Sequence, residues 1–394
     1  MSQPYTFETH LLHNKYKVDP ATGGVSVPIQ HASTYHQPSI DHFGKYDYSR
    51  SLNPTREALE DIIAELEGGV RGFAFSSGMA AISTAFMLLS QGDHVVITED
   101  VYGGTYRMVT QVLNRFGIEH TFVDMTDLDA VEQAVRPNTA LLYAETPSNP
   151  LLKITDIRAL SSIAKKHGAY TFVDNTFMTP YLQRPLDLGA DIVLHSATKF
   201  LSGHSDTVAG LAVVKDEQLA NRLYSLQNSF GAVLGVQDAW LVMRGIKTLS
   251  VRMNQSQDSA RKIAQFLKGQ PLIKNVFYPG LASHSQSDLQ SQQAGGPGAV
   301  LSFEFGNEGL LPGFIDSVKL PVFAVSLGAV ESILSYPAKM SHAAMPPEER
   351  KLRGIGDGLL RLSVGLENAD DLISDFQQAL YGLETAAAYR ERLS

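Results

Sequence analysis

The segment Leu194-His195-Ser196-Ala197-Thr198-Lys199-Phe200-Leu201-Ser202-Gly203-His204 runs an apolar stretch straight into a lysine preceded by two hydroxyl side chains and followed by a glycine. A lysine amine held at such a place can condense with an aldehyde and later carry protons. Alone, the motif is more often a strand end with a solvated lysine, since a lone motif rarely suffices. Twenty-five residues earlier, Thr171-Phe172-Val173-Asp174-Asn175-Thr176 places an aspartate at the end of another apolar run. Alone, Asp174 would serve as a turn or helix cap. In an open α/β sheet, however, ligands bind beyond the carboxyl ends of the strands, so Asp174 and Lys199 are expected to face one site.

Three further segments fit that site. Phe75-Ser76-Ser77-Gly78-Met79-Ala80-Ala81 turns a strand into a helix through small residues, and a helix N-terminus with a glycine admits a phosphate. Ser196 and Thr198 offer hydroxyl donors to the same anion. Tyr102, in Asp100-Val101-Tyr102-Gly103-Gly104-Thr105, offers a flat ring that could stack on another ring; its plain alternative is a half-buried loop tyrosine. Arg361 lies inside the apolar run Leu359-Leu360-Arg361-Leu362-Ser363-Val364. A buried cation needs a partner, either an internal carboxylate or that of a substrate, and bidentate geometry suits the second. A lysine for the imine, a carboxylate to keep a ring nitrogen protonated and a phosphate cradle are together the requirements of pyridoxal 5'-phosphate (PLP) chemistry.

These residues need a scaffold with strand ends on one edge. Short β-rich runs at Gly72–Phe75, His94–Thr98, Ala140–Glu145, Tyr170–Asp174, Asp191–His195 and Leu211–Val214 alternate with helical stretches at Gly78–Leu89, Thr105–Phe116, Leu128–Val135 and Ile157–His167. Such alternation predicts an α/β fold, a mostly parallel sheet covered on both faces. A helix is expected from Thr55 as N-cap to Gly68-Gly69, with Leu59, Ile62, Ile63 and Leu66 at helical spacing. Residues 1–54, rich in turn formers, read as an extended arm. A long helical stretch from Val236 to Leu267, interrupted near Gly245, leads to a second unit with strands at Val300–Phe305 and Leu359–Val364 and a closing helix at Asp371–Leu383. The Ser/Gln/Gly-rich region 282–298 reads as a mobile surface loop, and Trp240 as a core residue of the long helix.

The composition limits the alternatives. A chain of 394 residues exceeds the roughly 250–300 residues over which one core grows, so more than one domain is expected. With 44% hydrophobic and 19% charged residues it is a globular composition. The net charge of −9, without basic clusters, speaks against nucleic acid or an anionic membrane as partner. No apolar run approaches the ~18–20 residues of a membrane span. The start Met1-Ser2-Gln3-Pro4-Tyr5 lacks the order of a secretion signal, so a cytoplasmic location is expected. The absence of cysteine removes disulfides and thiolate metal sites, and the isolated His204 and His342 are expected to be structural, with no metal bound.

Taken together, the segments resemble the Cys/Met-metabolism family of PLP-dependent enzymes, the cystathionine synthases and lyases. The matching motifs are Tyr48-Ser49-Arg50 with Asn53-Pro54-Thr55-Arg56, Ser77-Gly78-Met79, Glu145-Thr146-Pro147-Ser148-Asn149-Pro150, Val173-Asp174-Asn175-Thr176, Ser196-Ala197-Thr198-Lys199 and Ser326-Leu327-Gly328. The resemblance spans the chain from about Gly24 to the final helix. It implies the fold type I architecture: an arm (1–54) that reaches a neighbouring subunit, a PLP-binding domain (55–255) with a seven-stranded sheet, a smaller α+β C-terminal domain (256–394), and a homotetramer. It also implies that Tyr48 and Arg50 reach a neighbour's cofactor phosphate, that Gly78, Met79, Ser196 and Thr198 bind phosphate, and that Tyr102 stacks on the ring. Asp174 would meet the ring nitrogen, Lys199 would carry the cofactor, and Arg361, with Ser326 and Asn149, would hold the substrate carboxylate.

Within the family, γ-cleaving and γ-replacing enzymes usually carry Glu just before Ser-Leu-Gly, where this chain has Val325. Methionine γ-lyases tend to have Val there but place Cys two residues after the stacking tyrosine, where this chain has Gly104. The resemblance is therefore closest to the bacillus-type β-lyases. It implies β-cleavage of an amino-acid thioether, with Lys199 moving the proton and Lys199 or Tyr102 protonating the leaving group. γ-Elimination or γ-replacement is the alternative chemistry, and a binding protein that has lost catalysis is the alternative outside enzymes.

Overall fold

The computed structural model describes residues 5–393, with side chains through residue 385. Seven strands form the larger sheet: β1 (Arg71–Phe75), β2 (His94–Thr98), β3 (Glu119–Val123), β4 (Thr139–Glu145), β5 (Tyr170–Asp174), β6 (Ile192–Ser196) and β7 (Gly210–Val214). Their order is β1-β7-β6-β5-β4-β2-β3, and every pairing is parallel except the two made by β7. Because side chains alternate along a strand, the sheet has two apolar faces. Val193, Leu211 and Val213 pack with Leu59, Ile63 and Leu66 of the helix Pro54–Glu67. Leu194, Ala212 and Val214 face the other way, with Ile82, Ala85 and Phe86 of the helix Gly78–Phe86. The fold class expected from the sequence is thus the one observed.

The second sheet contains β8 (Ile273–Phe277), β9 (Val300–Phe305), β10 (Val322–Phe323), β11 (Ile333–Ser335) and β12 (Leu359–Ser363), ordered β10-β11-β12-β9-β8. All but the β10–β11 pairing are antiparallel. The helix Leu249–Lys268 straddles both sheets. Leu249 and Met253 join the core of the first, while Ala260, Ile263 and Leu267 join that of the second with Phe303, Leu360 and Phe376. Residue 255, the expected domain border, falls within this helix.

Several local expectations are corrected. Asn53, not Thr55, caps the helix after the arm: its side chain accepts the N–H groups of Thr55 and Arg56, and Pro54 fills the first turn, where a missing N–H costs nothing. The arm is not wholly peripheral, since Leu11 is 1% exposed and packs in the core beneath the helix Pro54–Glu67. The helix expected at Thr105–Phe116 is a short α-turn, Gly103–Arg107, followed by π and 3₁₀ segments to Phe116. Trp240 is only half-buried and donates its indole N–H to the Val27 carbonyl, so it fastens the arm at the edge of the core. The region 282–298 is docked rather than loose. It contains the helix Ser287–Gln293; Gln286 accepts the Ile154 N–H, Gln293 donates to the Thr155 carbonyl, and Gln290 is buried.

Candidate active site

The carboxyl ends of β4, β5 and β6 face the turn between β10 and β11, and between them lies a cavity of about 520 Å³. Lys199 stands in the turn that follows β6, where its N–H donates to the Ser196 carbonyl and its carbonyl accepts the Gly203 N–H. Its Nζ donates to Ser326 Oγ at 2.6 Å. Burial, reinforced by the charge of Arg361, holds the amine down to about 8, so a substantial fraction is neutral near physiological pH. Ser326 adopts φ 91, a left-handed conformation rare for a residue with a side chain, which marks this turn as held by its surroundings.

Asp174 ends β5 and is 6% exposed. Its Oδ1 accepts the N–H and the hydroxyl of Thr176 at 3.0 and 2.6 Å, so the turn-capping role is real. Among the described residues its Oδ2 has only a long contact, 3.5 Å from the Tyr143 hydroxyl, which leaves it open to a further donor at the cavity. Capping and ligand binding are thus divided between the two oxygens. Burial raises this carboxyl above its usual range, while the Thr176 donors pull it back. A protonated ring nitrogen set against Oδ2 would lower it further.

Ser77 caps the helix Gly78–Phe86 by accepting the Ala80 N–H. A Cβ on Gly78 would lie 2.8 Å from the Cβ of Ser196, so only glycine lets this helix start sit against the end of β6. Gly78, Met79, Ser196 and Thr198 all line the cavity. The Thr198 hydroxyl also exchanges hydrogen bonds with the backbone of Ala209. Tyr102 is 39% exposed and its ring lies over Gly104, where a Cβ would come within 2.4 Å of it. Its N–H donates to Glu145 Oε2 at 2.8 Å.

Arg361 projects from β12 and is 3% exposed. It donates to Asn149 Oδ1 at 2.8 Å, to the Ser326 carbonyl at 2.7 Å and to Ser335 Oγ at 3.3 Å, and among the described residues its Nε has no partner. Among the described residues no carboxylate pairs with it, and burial lowers it to about 10, still charged at neutral pH. The cation therefore keeps its charge for a ligand. Tyr48 and Arg50 do not reach this cavity. Tyr48 is 45% exposed, the Arg50 guanidinium lies 5.3 Å from its ring centre, and Arg50 Nε donates to Asn228.

His204 Nδ1 contacts the Ser202 carbonyl, and His342 is fully buried against Ser341 and held down to about 4 by burial and by Arg361. Among the described residues no three metal-ligating side chains converge. Glu145 lines the cavity and was not anticipated as a site residue. The signal that found Asp174, a carboxylate at the carboxyl end of a parallel strand, applies to it equally. Thr176, Met340 and Ser341 also line the cavity without having been anticipated.

A lysine held toward neutrality, a buried carboxylate with one free oxygen, a glycine-opened helix start and an uncompensated arginine fit PLP with an amino-acid substrate. The comparisons place that class. The sequence profile described as "Cys/Met metabolism PLP-dependent enzyme" matches residues 8–381, and the chain belongs to this family of PLP-dependent enzymes. It is 67% identical to cystathionine beta-lyase MetC of Bacillus subtilis over 95% of this chain and 96% of that one. It is 54% identical to a cystathionine gamma-lyase of the same organism, over 95% and 98%. A crystal structure of cystathionine gamma-lyase from Lactobacillus plantarum complexed with L-serine superposes with a TM-score of 0.94 at 46% identity, covering 96% of this chain and all of that one.

Proposed function

We propose that this enzyme is a cystathionine β-lyase of methionine biosynthesis, cleaving L-cystathionine with water to homocysteine, pyruvate and ammonia. The observation that carries the reading is Val325, an apolar residue 65% exposed at the cavity beside Ser326, where the γ enzymes of the family usually place a glutamate. The 67% identity with a relative named as a β-lyase supports it. No helix among the described residues is long and apolar enough to cross a membrane, and the proposed location is the cytoplasm.

Bound at Lys199, PLP supplies a sink for the electrons released at the substrate's α-carbon. Asp174 would keep the cofactor's ring nitrogen protonated, and Gly78, Met79, Ser196 and Thr198 would hold its phosphate. Arg361, with Asn149 and Ser326, would bind the α-carboxylate and so orient the substrate. The Lys199 amine would take the α-proton; its depressed basicity makes the neutral form available for this. Lys199 or Tyr102 then protonates the departing homocysteine sulfur. Tyr48 and Arg50, outside the cavity of their own chain, serve the phosphate of a neighbouring subunit in a homotetramer. In this reading residues 1–54 are the arm, 55–255 the cofactor-binding domain and 256–394 the C-terminal domain.

Purified enzyme incubated with L-cystathionine, with both keto acids quantified, tests the proposal. Pyruvate with homocysteine is expected; 2-oxobutyrate as the main product would establish γ-cleavage instead, the chemistry to which the 54% identical γ-lyase points.

A further inference from the structure

Glu145 ends β4 as Asp174 ends β5, and the two are register partners on neighbouring parallel strands. Both carboxyls line the cavity, at 5% and 6% exposure. Two carboxylates so placed cannot both ionise cheaply, so the one with fewer donors keeps a proton. Asp174 accepts two hydrogen bonds from Thr176 and a long one from Tyr143. Glu145 accepts one, from the Tyr102 N–H, and no Lys, Arg or His makes an ion pair with it among the described residues. The groups that bear on it are Asp174 and Asp100, which oppose its ionisation, and Arg361, which favours it; its own charge in turn opposes ionisation of Tyr143. Burial and Asp174 win, and the carboxyl is driven well above the carboxylate range.

We propose that Glu145 is a positioning residue that works as a neutral acid: it fixes Tyr102 through the backbone and, by carrying no charge, leaves Arg361 free for the substrate carboxylate. The first part follows from the single bond that ties the end of β4 to the residue leading into Gly103–Arg107. The second follows from the partners of Arg361, which are an amide oxygen, a carbonyl and a hydroxyl, all neutral. An ionised Glu145 would compete with the incoming carboxylate for the field of Arg361.

The inference rests on the PLP-lyase reading, and its test separates the two. Holoenzyme is assayed with L-cystathionine as wild type, Glu145→Gln and Glu145→Ala, recording kcat, KM and the absorbance of bound cofactor. Glutamine is neutral and keeps an oxygen for the Tyr102 N–H, so Glu145→Gln is expected to stay within about 3-fold of wild type in kcat/KM. Alanine releases Tyr102, and a shift of that ring of an ångström is expected to lower kcat by roughly 100-fold with cofactor absorbance retained. A Glu145→Gln variant as damaged as Glu145→Ala would show that the charge is needed and overturn the proposal, as would a Glu145→Ala variant equal to wild type. Should Glu145→Ala fail to fold, the pH profile of KM decides. Wild-type KM is expected to rise at alkaline pH as Glu145 ionises, and Glu145→Gln to lack that rise; identical profiles would refute the idea. Wild-type protein that shows no cofactor absorbance or keto acid would instead strike the function itself.

Discussion

The floor of the cavity and the N-terminal arm are both rich in residues suited to a cofactor, and they are built in opposite ways. On the floor, Lys199, Asp174 and Arg361 are withdrawn from water and each is set by neighbours of the same chain, through Ser326, Thr176 and Asn149 respectively. On the arm, Tyr48 and Arg50 are exposed; the Arg50 guanidinium lies against the Tyr48 ring and its Nε donates to Asn228. Groups that must hold an altered protonation state need burial, because only a low-dielectric, pre-arranged setting shifts a pKa by units. A guanidinium that only attracts an anion keeps its charge anywhere, so it can sit on a segment completed by another subunit. The division teaches that groups needing a shifted protonation state are fixed by burial within the chain, whereas a group that needs only its charge can stand exposed.

Replacing Lys199 with Ala is the hardest blow to that division. Turnover should fall by roughly 10⁴-fold or more with loss of the cofactor's absorbance shift on adding substrate, and full activity would end the assignment. Arg361→Ala should come next, raising KM for L-cystathionine by roughly 100-fold, since a charge-assisted bidentate contact disappears, while cofactor affinity changes little. Equal loss of both in a titration of each would contradict its role. The protonation of Lys199 gives a third test. Protein stripped of cofactor should recapture PLP about tenfold more slowly for each pH unit below about 8, because only the neutral amine reacts, and a flat profile would show the amine is not depressed. On the arm, Arg50→Ala should loosen cofactor retention by about 10-fold at most, in keeping with one exposed ionic contact. Mixing it with Lys199→Ala chains should restore tight retention at sites whose lysine is intact. Failure of that complementation, with mixed oligomers verified, would move the arm's function back into its own chain.

The site was legible where chemistry demanded a rare combination: a charged residue ending or interrupting an apolar run, as at Asp174, Lys199 and Arg361. The same logic reaches Glu145, a carboxylate at the end of the apolar strand β4. The interior strands β4, β5, β6 and β7 announced themselves through continuous apolar residues, being covered on both faces. The edge strands β3 and β8 did not, although the edge strand β1 did. Glu119 and His120 in β3, and Lys274 and Asn275 in β8, face outward and break the pattern, while β10 and β11, at two and three residues, are too short to show any period. The region 282–298 misled because glutamine is usually exposed, whereas Gln290 spends its amide on the Gly296 carbonyl from a buried position. Composition reports polarity and cannot report whether the partner of a polar group is water or backbone.

The smallest effect tests whether the floor is built at the expense of stability. In the unfolded chain Lys199 keeps its ordinary value of 10.5, and in the folded, cofactor-free protein about 8. Between those two values the unfolded chain holds a proton that the folded protein does not, so stability climbs as pH rises through the window. Below about 8 both states are protonated and the folded protein bears the whole cost of a buried ammonium. Lys199→Met removes that cost while keeping the volume, and should stabilise the cofactor-free protein at pH 7 by about 1–3 kcal/mol, or about 2 °C or more in Tm. The advantage should shrink as pH approaches 10.5, where wild type also becomes neutral in both states. The same exchange at the exposed Arg50 lacks any burial to relieve and should leave Tm unmoved. Equal melting temperatures for wild type and Lys199→Met at pH 7 would mean that the amine is not strained by its setting, and the contrast between floor and arm would lose its physical basis.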